Sequence, residues 1–306
     1  MEIREFTLAS DGNLTLSCRE YRPEGDPIGI VQIIHGVSEH QGRYAPFAGY
    51  LAENGFAVYT SDLPGHGPAA AENGSLGRFP SGGWQRVTDA QHALLERARA
   101  LWPEKPVFLF GHSLGSFLAR TCLIRWPGEL QGCILCGTTH HDPAKREAGA
   151  AAAEMAIKLR GEAKGGQFLK KLLFDNFNQR ISGAASPNAW ISRDEAVVAA
   201  YDADPLCGVT PSAGMMLELL RGLRFIADPA KQRRMDPELP VLMISGTEDP
   251  VGEYGAGVRR ALESFRKAGM KKAAMKLYPG DRHELLNEPD RETVYEDILA
   301  WLKAHA

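Results

Sequence analysis

The chain has 306 residues, of which 44% are hydrophobic and 24% charged, and its formal net charge is −3. This composition is ordinary for a soluble globular protein, and the small net charge gives no indication of a nucleic acid or an acidic polymer as partner. The length exceeds that of an average domain but fits one α/β unit that carries an insertion.

Apolar runs alternate with helical segments along most of the chain, which predicts an α/β fold with a largely parallel sheet. The first two strands flank Ser10-Asp-Gly-Asn13, a hairpin signal, so we expect an antiparallel pair at the start. The predicted strands are Glu2–Ala9, Leu14–Tyr21, Ile28–His35, Ala57–Asp62, Pro106–Gly111, Gly132–Thr138, Val241–Gly246 and Ala273–Tyr278. The predicted helices are Tyr44–Asn54, Trp84–Leu101, Ser113–Trp126, Gly255–Ala268 and Arg291–Ala304.

The alternation stops between residues 142 and 211. Ala144–Lys164 is rich in helix-forming residues, and Gln167–Phe177 carries apolar residues at helical spacing. A block of helices after the sixth strand lies above the carboxyl edge of the sheet, where ligands bind in open α/β folds. We therefore predict an α/β core of residues 1–141 and 212–306, with a helical cap, or lid, of residues 142–211.

A candidate nucleophile follows the fifth predicted strand. The apolar run from Val107 leads directly into Gly111-His-Ser-Leu-Gly115, and a helix-forming segment comes next. Glycines two residues to either side of Ser113 permit a strained strand-to-helix turn that exposes the serine hydroxyl. The alternative is a plain glycine-rich turn, but the flanking strand and helix favour a nucleophilic serine.

A serine hydroxyl needs a base to remove its proton, and the base needs an orienting acid. In this topology the order along the chain is serine, acid, histidine. Asp249 follows the seventh predicted strand and His283 follows the eighth, both on the same sheet edge as Ser113. The sequence therefore predicts Ser113 as nucleophile, Asp249 as acid and His283 as base. Asp142, at the end of the sixth strand, is the main rival acid, and Glu248 is a weaker one.

An oxyanion hole requires two backbone N–H donors. We expect one from Leu114, the residue after the nucleophile. The other should come from the loop after the third strand, where Val37 is the better placed residue and Gly36 gives the backbone room. His112 adjoins the serine, but its side chain is expected to face away from the reacting groups.

Two patterns in the sequence resemble metal or redox sites, but neither is interpreted as such a site. His140 and His141 are adjacent, so their side chains diverge, and no third ligand is suitably spaced. Cys133 and Cys136 lie in a strand-like run, where positions three apart point to opposite faces. We therefore expect no metal and no cofactor, and we interpret the two cysteines as small buried residues.

The chain is predicted to be cytoplasmic. No apolar run approaches the roughly 20 residues that span a bilayer, and the segment Met1–Phe6 lacks a charged-then-apolar signal. Five scattered cysteines indicate reduced thiols.

Five short segments along the chain form a further pattern. They are His35-Gly-Val-Ser-Glu-His-Gln-Gly-Arg-Tyr44, Asp62-Leu-Pro-Gly-His-Gly67, Gly111–Gly115, Gly246-Thr-Glu-Asp249 and His283-Glu284. Their order resembles that seen in monoacylglycerol lipases and related lysophospholipase-like serine hydrolases of the α/β-hydrolase superfamily. The resemblance spans nearly the whole chain and is most specific at Glu39-His40 and Arg43-Tyr44. It implies an eight-stranded α/β-hydrolase sheet with a helical cap, the same catalytic residues, and oxyanion donors at Val37 and Leu114.

The expected function is hydrolysis of a carboxylic ester, with a monoacylglycerol or similar lipid-like ester as the small-molecule substrate. The alternatives are a small-ester, aryl-ester or aminopeptidase-like hydrolase with the same triad, and a catalytically silent ligand receptor with this fold. The basic, apolar segment Ala151–Phe177 could touch a membrane surface transiently. A solvated lid whose apolar face covers the active site is the favoured interpretation of that segment.

Overall fold

The computed structural model describes residues 1–10, 14–174 and 176–306, apart from the side chains of 163, 164 and 172–174. Eight strands form one sheet in the order β1-β2-β4-β3-β5-β6-β7-β8. β1 pairs antiparallel with β2, β2 pairs antiparallel with β4, and the remaining neighbours are parallel. The strands are β1 (Glu2–Ala9), β2 (Thr15–Arg22), β3 (Gly29–Ile34), β4 (Phe56–Ser61), β5 (Val107–His112), β6 (Gly132–Cys136), β7 (Val241–Gly246) and β8 (Ala273–Tyr278).

All eight predicted strands are confirmed, with ends that differ by no more than two residues from the prediction. The antiparallel opening pair is confirmed as well, whereas its predicted turn at residues 11–13 lies outside the described residues. The helices are α1 (Ala45–Glu53), α2 (Gly67–Glu72), α3 (Gly83–Leu101), α4 (Leu114–Arg125), α5 (Pro143–Phe174), α6 (Glu195–Ala203), α7 (Ala213–Ala227), α8 (Pro229–Gln232), α9 (Ala256–Lys267) and α10 (Arg291–His305).

The central strands are buried on both faces, which is why they are continuous apolar runs in the sequence. Along β5, Leu109 faces α4 and α7, whereas Phe108 and Phe110 face α1 and α10. Cys133 and Cys136 likewise belong to opposite faces, and both are buried free thiols. Their interpretation as packing residues is therefore confirmed.

The loop after β3 and the start of α4 approach each other closely. Gly115 permits this contact, because a Cβ atom at that position would lie 2.1 Å from the carbonyl oxygen of Ile34. The carboxyl ends of the parallel strands meet at this edge of the sheet. The loops that carry Val37, Ser113 and His283 therefore gather in one region.

The segment predicted as a cap begins with α5. Gly161, with φ 70° and ψ 174°, is not helical, so α5 consists of two helices that meet at a kink. The second stretch was predicted to extend to Phe177 and ends at Phe174, and residue 175 lies outside the described residues. Several large apolar side chains of α5 face solvent, with Leu159 71% exposed.

Among the described residues, four helices were not individually predicted from the sequence, although α6 lies within the predicted block of helices. They are α2, α6, α7 and α8, and α7 packs along α5 and α4. In the part of the chain that the structure describes, no helix is both long and apolar enough to cross a membrane.

Replacing Gly115 by alanine should lower the free energy of unfolding by about 3 kcal/mol or more, because the backbone of β3 or α4 must shift to admit the new atom. Denaturation in urea measures the change. The control is Gly149→Ala in α5, where the added Cβ meets Leu220 at 3.4 Å, an ordinary contact distance. The free energy of unfolding of that variant should increase by about 0.5–1 kcal/mol, because alanine has a higher helix propensity than glycine. Equal unfolding midpoints for the two variants would contradict the close approach.

Candidate active site

Ser113 occupies a strained turn between β5 and α4. Its φ of 51° and ψ of −116° lie outside the regions that residues with a side chain normally adopt. The turn is stabilised by a hydrogen bond from the Ser113 N–H to the carbonyl oxygen of Cys136, at 2.9 Å. A Cβ atom at Gly111 would lie 2.4 Å from the carbonyl oxygen of Gly115, so both glycines are required for this close turn.

Asp249 and His283 form a buried hydrogen-bonded pair. Nδ1 of His283 lies 3.0 Å from Oδ1 of Asp249, and the two residues are 3% and 0% exposed. The Ser245 hydroxyl donates to the other oxygen of Asp249 at 2.9 Å. The imidazole also lies against Gly137, where a Cβ would be 2.8 Å from its Cε1 atom. Cys136 accepts the hydrogen bond from Ser113, and Gly137 is the next residue. The Ser113 turn and the His283 imidazole therefore both contact the segment Cys136-Gly137.

The rival acids have other positions. Asp142 is exposed, and its Oδ1 accepts hydrogen bonds from backbone N–H groups in the first turn of α5. Glu248 is exposed as well. The carboxylate that contacts His283 is that of Asp249.

The surroundings of His283 favour its protonated form. Burial acts to lower the pKa of His283, but the charge and hydrogen bond of Asp249, helped by Glu284 and Glu39, raise that pKa above its ordinary value. Burial would raise the pKa of Asp249, but His283 and Ser245 together hold it below its ordinary value. The pair therefore consists of a carboxylate beside an imidazole that accepts a proton readily.

Two aromatic rings pack against His283. The centroid of the His112 ring lies 4.7 Å from that of His283, so the expectation that His112 faces away is wrong. Burial lowers the pKa of His112 to about 3, which makes it a neutral packing neighbour. The ring of Trp190, between α5 and α6, has its centroid 5.1 Å from that of His283, and this contact could not be predicted from the sequence.

The loop after β3 holds one peptide group in a fixed orientation. His35 Nδ1 donates to the carbonyl oxygen of Gly36 at 2.7 Å, since its Nε2 accepts from the N–H of Leu63. In a trans peptide the next N–H points opposite to that carbonyl, so the Val37 N–H is directed away from His35. Within the described residues, neither the Val37 N–H nor the Leu114 N–H has a hydrogen-bond partner.

A buried charge network supports this loop. Glu39 accepts from the Gly36 N–H at 2.5 Å and from the Tyr44 hydroxyl at 2.8 Å. Arg43 lies between two acids. It donates to Glu39 at 3.0 Å, and two of its nitrogens donate to the two carboxylate oxygens of Glu284 at 2.6 and 2.7 Å. The network thus connects the loop of Val37 to the residue after His283. The sequence marked these residues by resemblance but gave no indication of this contact.

A cavity of about 350 Å³ lies between this loop and the segment predicted as a cap. Val37 and Trp190 are among its lining residues, and the Tyr201 hydroxyl donates to the carbonyl oxygen of Ser38. A larger cavity of about 760 Å³ lies at the amino end of β5, away from these residues. The lining residues of the smaller cavity are Val37, Ser38, Lys170, Asn178, Pro187, Asn188, Trp190, Tyr201, Gly208 and Pro211.

Three groups of side chains among the described residues have donor atoms close enough for a metal ion, and none includes His140 or His141. His40 has no free ring nitrogen, since its Nδ1 accepts from a backbone N–H and its Nε2 donates to Asp204. Arginine side chains already pair with acids of the other two groups. The groups are His40, Asp204 and Cys207; His92, Glu96 and Glu129; and Asp281, Glu288 and Asp290.

Comparison with known proteins gives consistent results. Residues 25–290 match the family described as serine aminopeptidase, S33. A monoacylglycerol lipase of Mycolicibacterium smegmatis is 28% identical over 98% of this chain and 97% of its own length. The monoglyceride lipase of Mus musculus is 27% identical over 94% of this chain and 86% of its own. The structure of a thermostable carboxyl esterase from Bacillus coagulans superimposes with a TM-score of 0.91, at 30% identity over 99% of both chains.

Replacing Glu39 by glutamine should lower the pKa of His283, because it removes one of the negative charges that favour the imidazolium. NMR titration of the ring proton signal that disappears in His283→Gln measures this pKa. Glu248→Gln, which neutralises an exposed carboxylate, is the control and should leave the titration unchanged. An unchanged or raised pKa in Glu39→Gln would contradict the electrostatic role of the network.

Proposed function

The chain belongs to the serine aminopeptidase, S33 family of α/β-hydrolases and is a serine ester hydrolase, and on that premise we propose that it cleaves monoacylglycerols or similar lipid-like esters through an acyl-enzyme on Ser113. The observation that supports this proposal most directly is the buried pair of Asp249 and His283 beside the strained turn of Ser113. The relatives imply that the substrate is a small-molecule ester, and we propose in addition that this ester is lipid-like.

In the proposed mechanism, Oγ of Ser113 attacks the acyl carbonyl while Nε2 of His283 takes the hydroxyl proton. Asp249 holds the imidazole by its Nδ1 hydrogen bond and stabilises the imidazolium. The N–H groups of Val37 and Leu114 stabilise the oxyanion, and one such donor typically contributes about 100- to 1,000-fold in rate. The imidazolium then protonates the leaving alcohol, and water, activated by His283, releases the fatty acid.

Names of relatives and the surface of α5 support the lipid-like substrate. Two relatives are named as lipases of monoacylglycerols. Met155, Leu159 and Phe168 are exposed on α5, near the basic residues Lys158 and Arg160. An exposed apolar face with basic neighbours suits transient contact with a membrane surface, which we include in the proposal.

The domain division and the location remain part of the proposal. Residues 142–211 would act as a lid over a core of residues 1–141 and 212–306. The segment from α5 to α6 has no strand among its described residues, and its Trp190 contacts His283, which supports this division. All five cysteines are free and buried, which supports a reducing, cytoplasmic location.

Two alternatives are separated from the main proposal by experiment. A cavity of about 350 Å³ is also compatible with small or aryl esters, and the family description includes aminopeptidases. Turnover of monoacylglycerols, lysophospholipids, aryl esters and aminoacyl amides, with Ser113→Ala as blank, ranks these substrates. A silent receptor would fail to react with a fluorophosphonate probe, whereas the proposed enzyme should be labelled at Ser113.

Ser113→Ala should lower kcat by about six orders of magnitude, and Asp249→Asn by about four. Asp142→Asn should leave kcat unchanged, because the Asp142 carboxylate only caps α5. Steady-state kinetics on a monoacylglycerol measures the three effects, with circular dichroism to verify folding. The assignment of the acid is wrong if Asp142→Asn inactivates the enzyme and Asp249→Asn does not.

If an apolar tunnel under the predicted cap binds the acyl chain, kcat/KM should increase from two-carbon to eight-carbon glycerol esters. Each buried methylene contributes up to about 0.8 kcal/mol, which corresponds to about fourfold per carbon. Initial rates below the aggregation concentration of each ester measure the trend. A steady decrease with chain length would exclude the tunnel.

A further inference from the structure

Among the described residues, a single charged side chain lines the cavity beside Val37. Of the ten residues that line it, only Lys170 carries a charge, and that charge is positive. Its other polar lining groups are neutral amides and hydroxyls. A ligand in this cavity therefore meets one cation and no anion among the lining residues.

The ammonium group of Lys170 has unused donors. Nζ donates to the carbonyl oxygen of Gly208 at 3.1 Å, and an ammonium has three N–H groups. The residue is half-buried, and within the described ranges no carboxylate forms an ion pair with it. A cation partly removed from water and without a counter-ion favours an anionic ligand.

Two acids that are close in sequence to the lining residue Tyr201 already bind other groups. Asp202 accepts from the hydroxyl of Ser186 and the amide of Asn188. Asp204 accepts from Nε2 of His40 at 2.9 Å. These carboxylates are therefore not the missing partners of the Lys170 ammonium.

The other nearby cation differs from Lys170. Arg43 lies behind the Tyr201 ring, 4.9 Å from its centroid, and both Glu39 and Glu284 neutralise its charge. The positive charge available to a ligand in the cavity therefore comes from Lys170.

We propose that this cavity binds an anionic group, a phosphate or a carboxylate, carried by the ester substrate, and that Lys170 selects for it. The proposal rests on the proposed function, since Val37 both lines this cavity and carries one of the two proposed oxyanion donors. A volume of about 350 Å³ suits a group of headgroup size. The substrate class is then a monoacyl glycerophosphate, with the anion on the alcohol, or a half-ester of a dicarboxylic acid, with the anion on the acyl group.

Two matched substrate pairs test the proposal. The first is 1-butyrylglycerol 3-phosphate against 1-butyrylglycerol, and the second is monoethyl succinate against ethyl butyrate. We expect the native enzyme to prefer the anionic member of at least one pair by about tenfold or more in kcat/KM, as a charge-assisted hydrogen bond allows. The pair that shows the preference identifies the side of the ester that carries the anion.

The variants are Lys170→Gln, Lys170→Arg and, as a control, Lys171→Gln at the adjacent exposed position of α5. Lys170→Gln should lose about tenfold in kcat/KM on the preferred anionic ester, mainly through KM, and less than twofold on its neutral partner. Lys170→Arg should retain most of the preference, and Lys171→Gln should behave as the native enzyme.

Two outcomes overturn the proposal. An equal loss on both members of a pair would mean that Lys170 only braces the carbonyl of Gly208. Absence of a preference for either anionic ester in the native enzyme would mean that the cavity does not select an anion. Failure of the proposed function is distinct, because neutral 1-butyrylglycerol would then not be cleaved, or Ser113→Ala would cleave it as the native enzyme does.

Discussion

The buried contact between Asp249 and His283 is the interaction on which this site depends. Both groups are almost fully removed from water, so each depends on its partner and on further hydrogen bonds for stability. Ser245 fixes the second carboxylate oxygen, which prevents the carboxylate from turning away. Such a pair requires the loops after β7 and β8 to meet, and Gly246 allows it, since a Cβ there would lie 1.9 Å from the carbonyl oxygen of Asp281.

Glu39 links the two other parts of the site. Its carboxylate binds the Gly36 N–H, which helps to orient the backbone at Val37, and it also contributes to the raised pKa of His283. One arginine between two carboxylates leaves an excess negative charge next to the imidazole. The geometry of the candidate oxyanion loop and the proton affinity of the candidate base therefore depend on the same side chain.

The sequence predicted the sheet well because buried parallel strands are continuous apolar runs between turns. Ser113, Asp249 and His283 could be proposed because each stands just after a strand, and strand ends share one edge. Contacts between distant polar residues could not be predicted, because hydrophobic periodicity does not specify which charged side chains meet. The contact of Arg43 with Glu284, 241 positions later, is an example.

Two other differences between the predictions from sequence and the structure also have physical causes. The orientation of His112 was wrongly predicted because Ser113 turns out of the strand at positive φ, where strand alternation no longer applies. The bounds of α6 and α7 could not be predicted because, in the described part of the chain, no strand lies between β6 and β7 to separate these helices.

The segment before α6 is joined to the loop of His283 by main-chain hydrogen bonds. The N–H groups of His283 and Glu284 donate to the carbonyl oxygens of Trp190 and Ile191, at 3.4 and 2.7 Å. These bonds do not depend on side-chain identity, so substitutions in the segment can accumulate without breaking them. Deleting the segment would leave two amides without acceptors. The backbone of the segment before α6 is therefore constrained more tightly than its side chains, so the segment should tolerate substitution better than deletion.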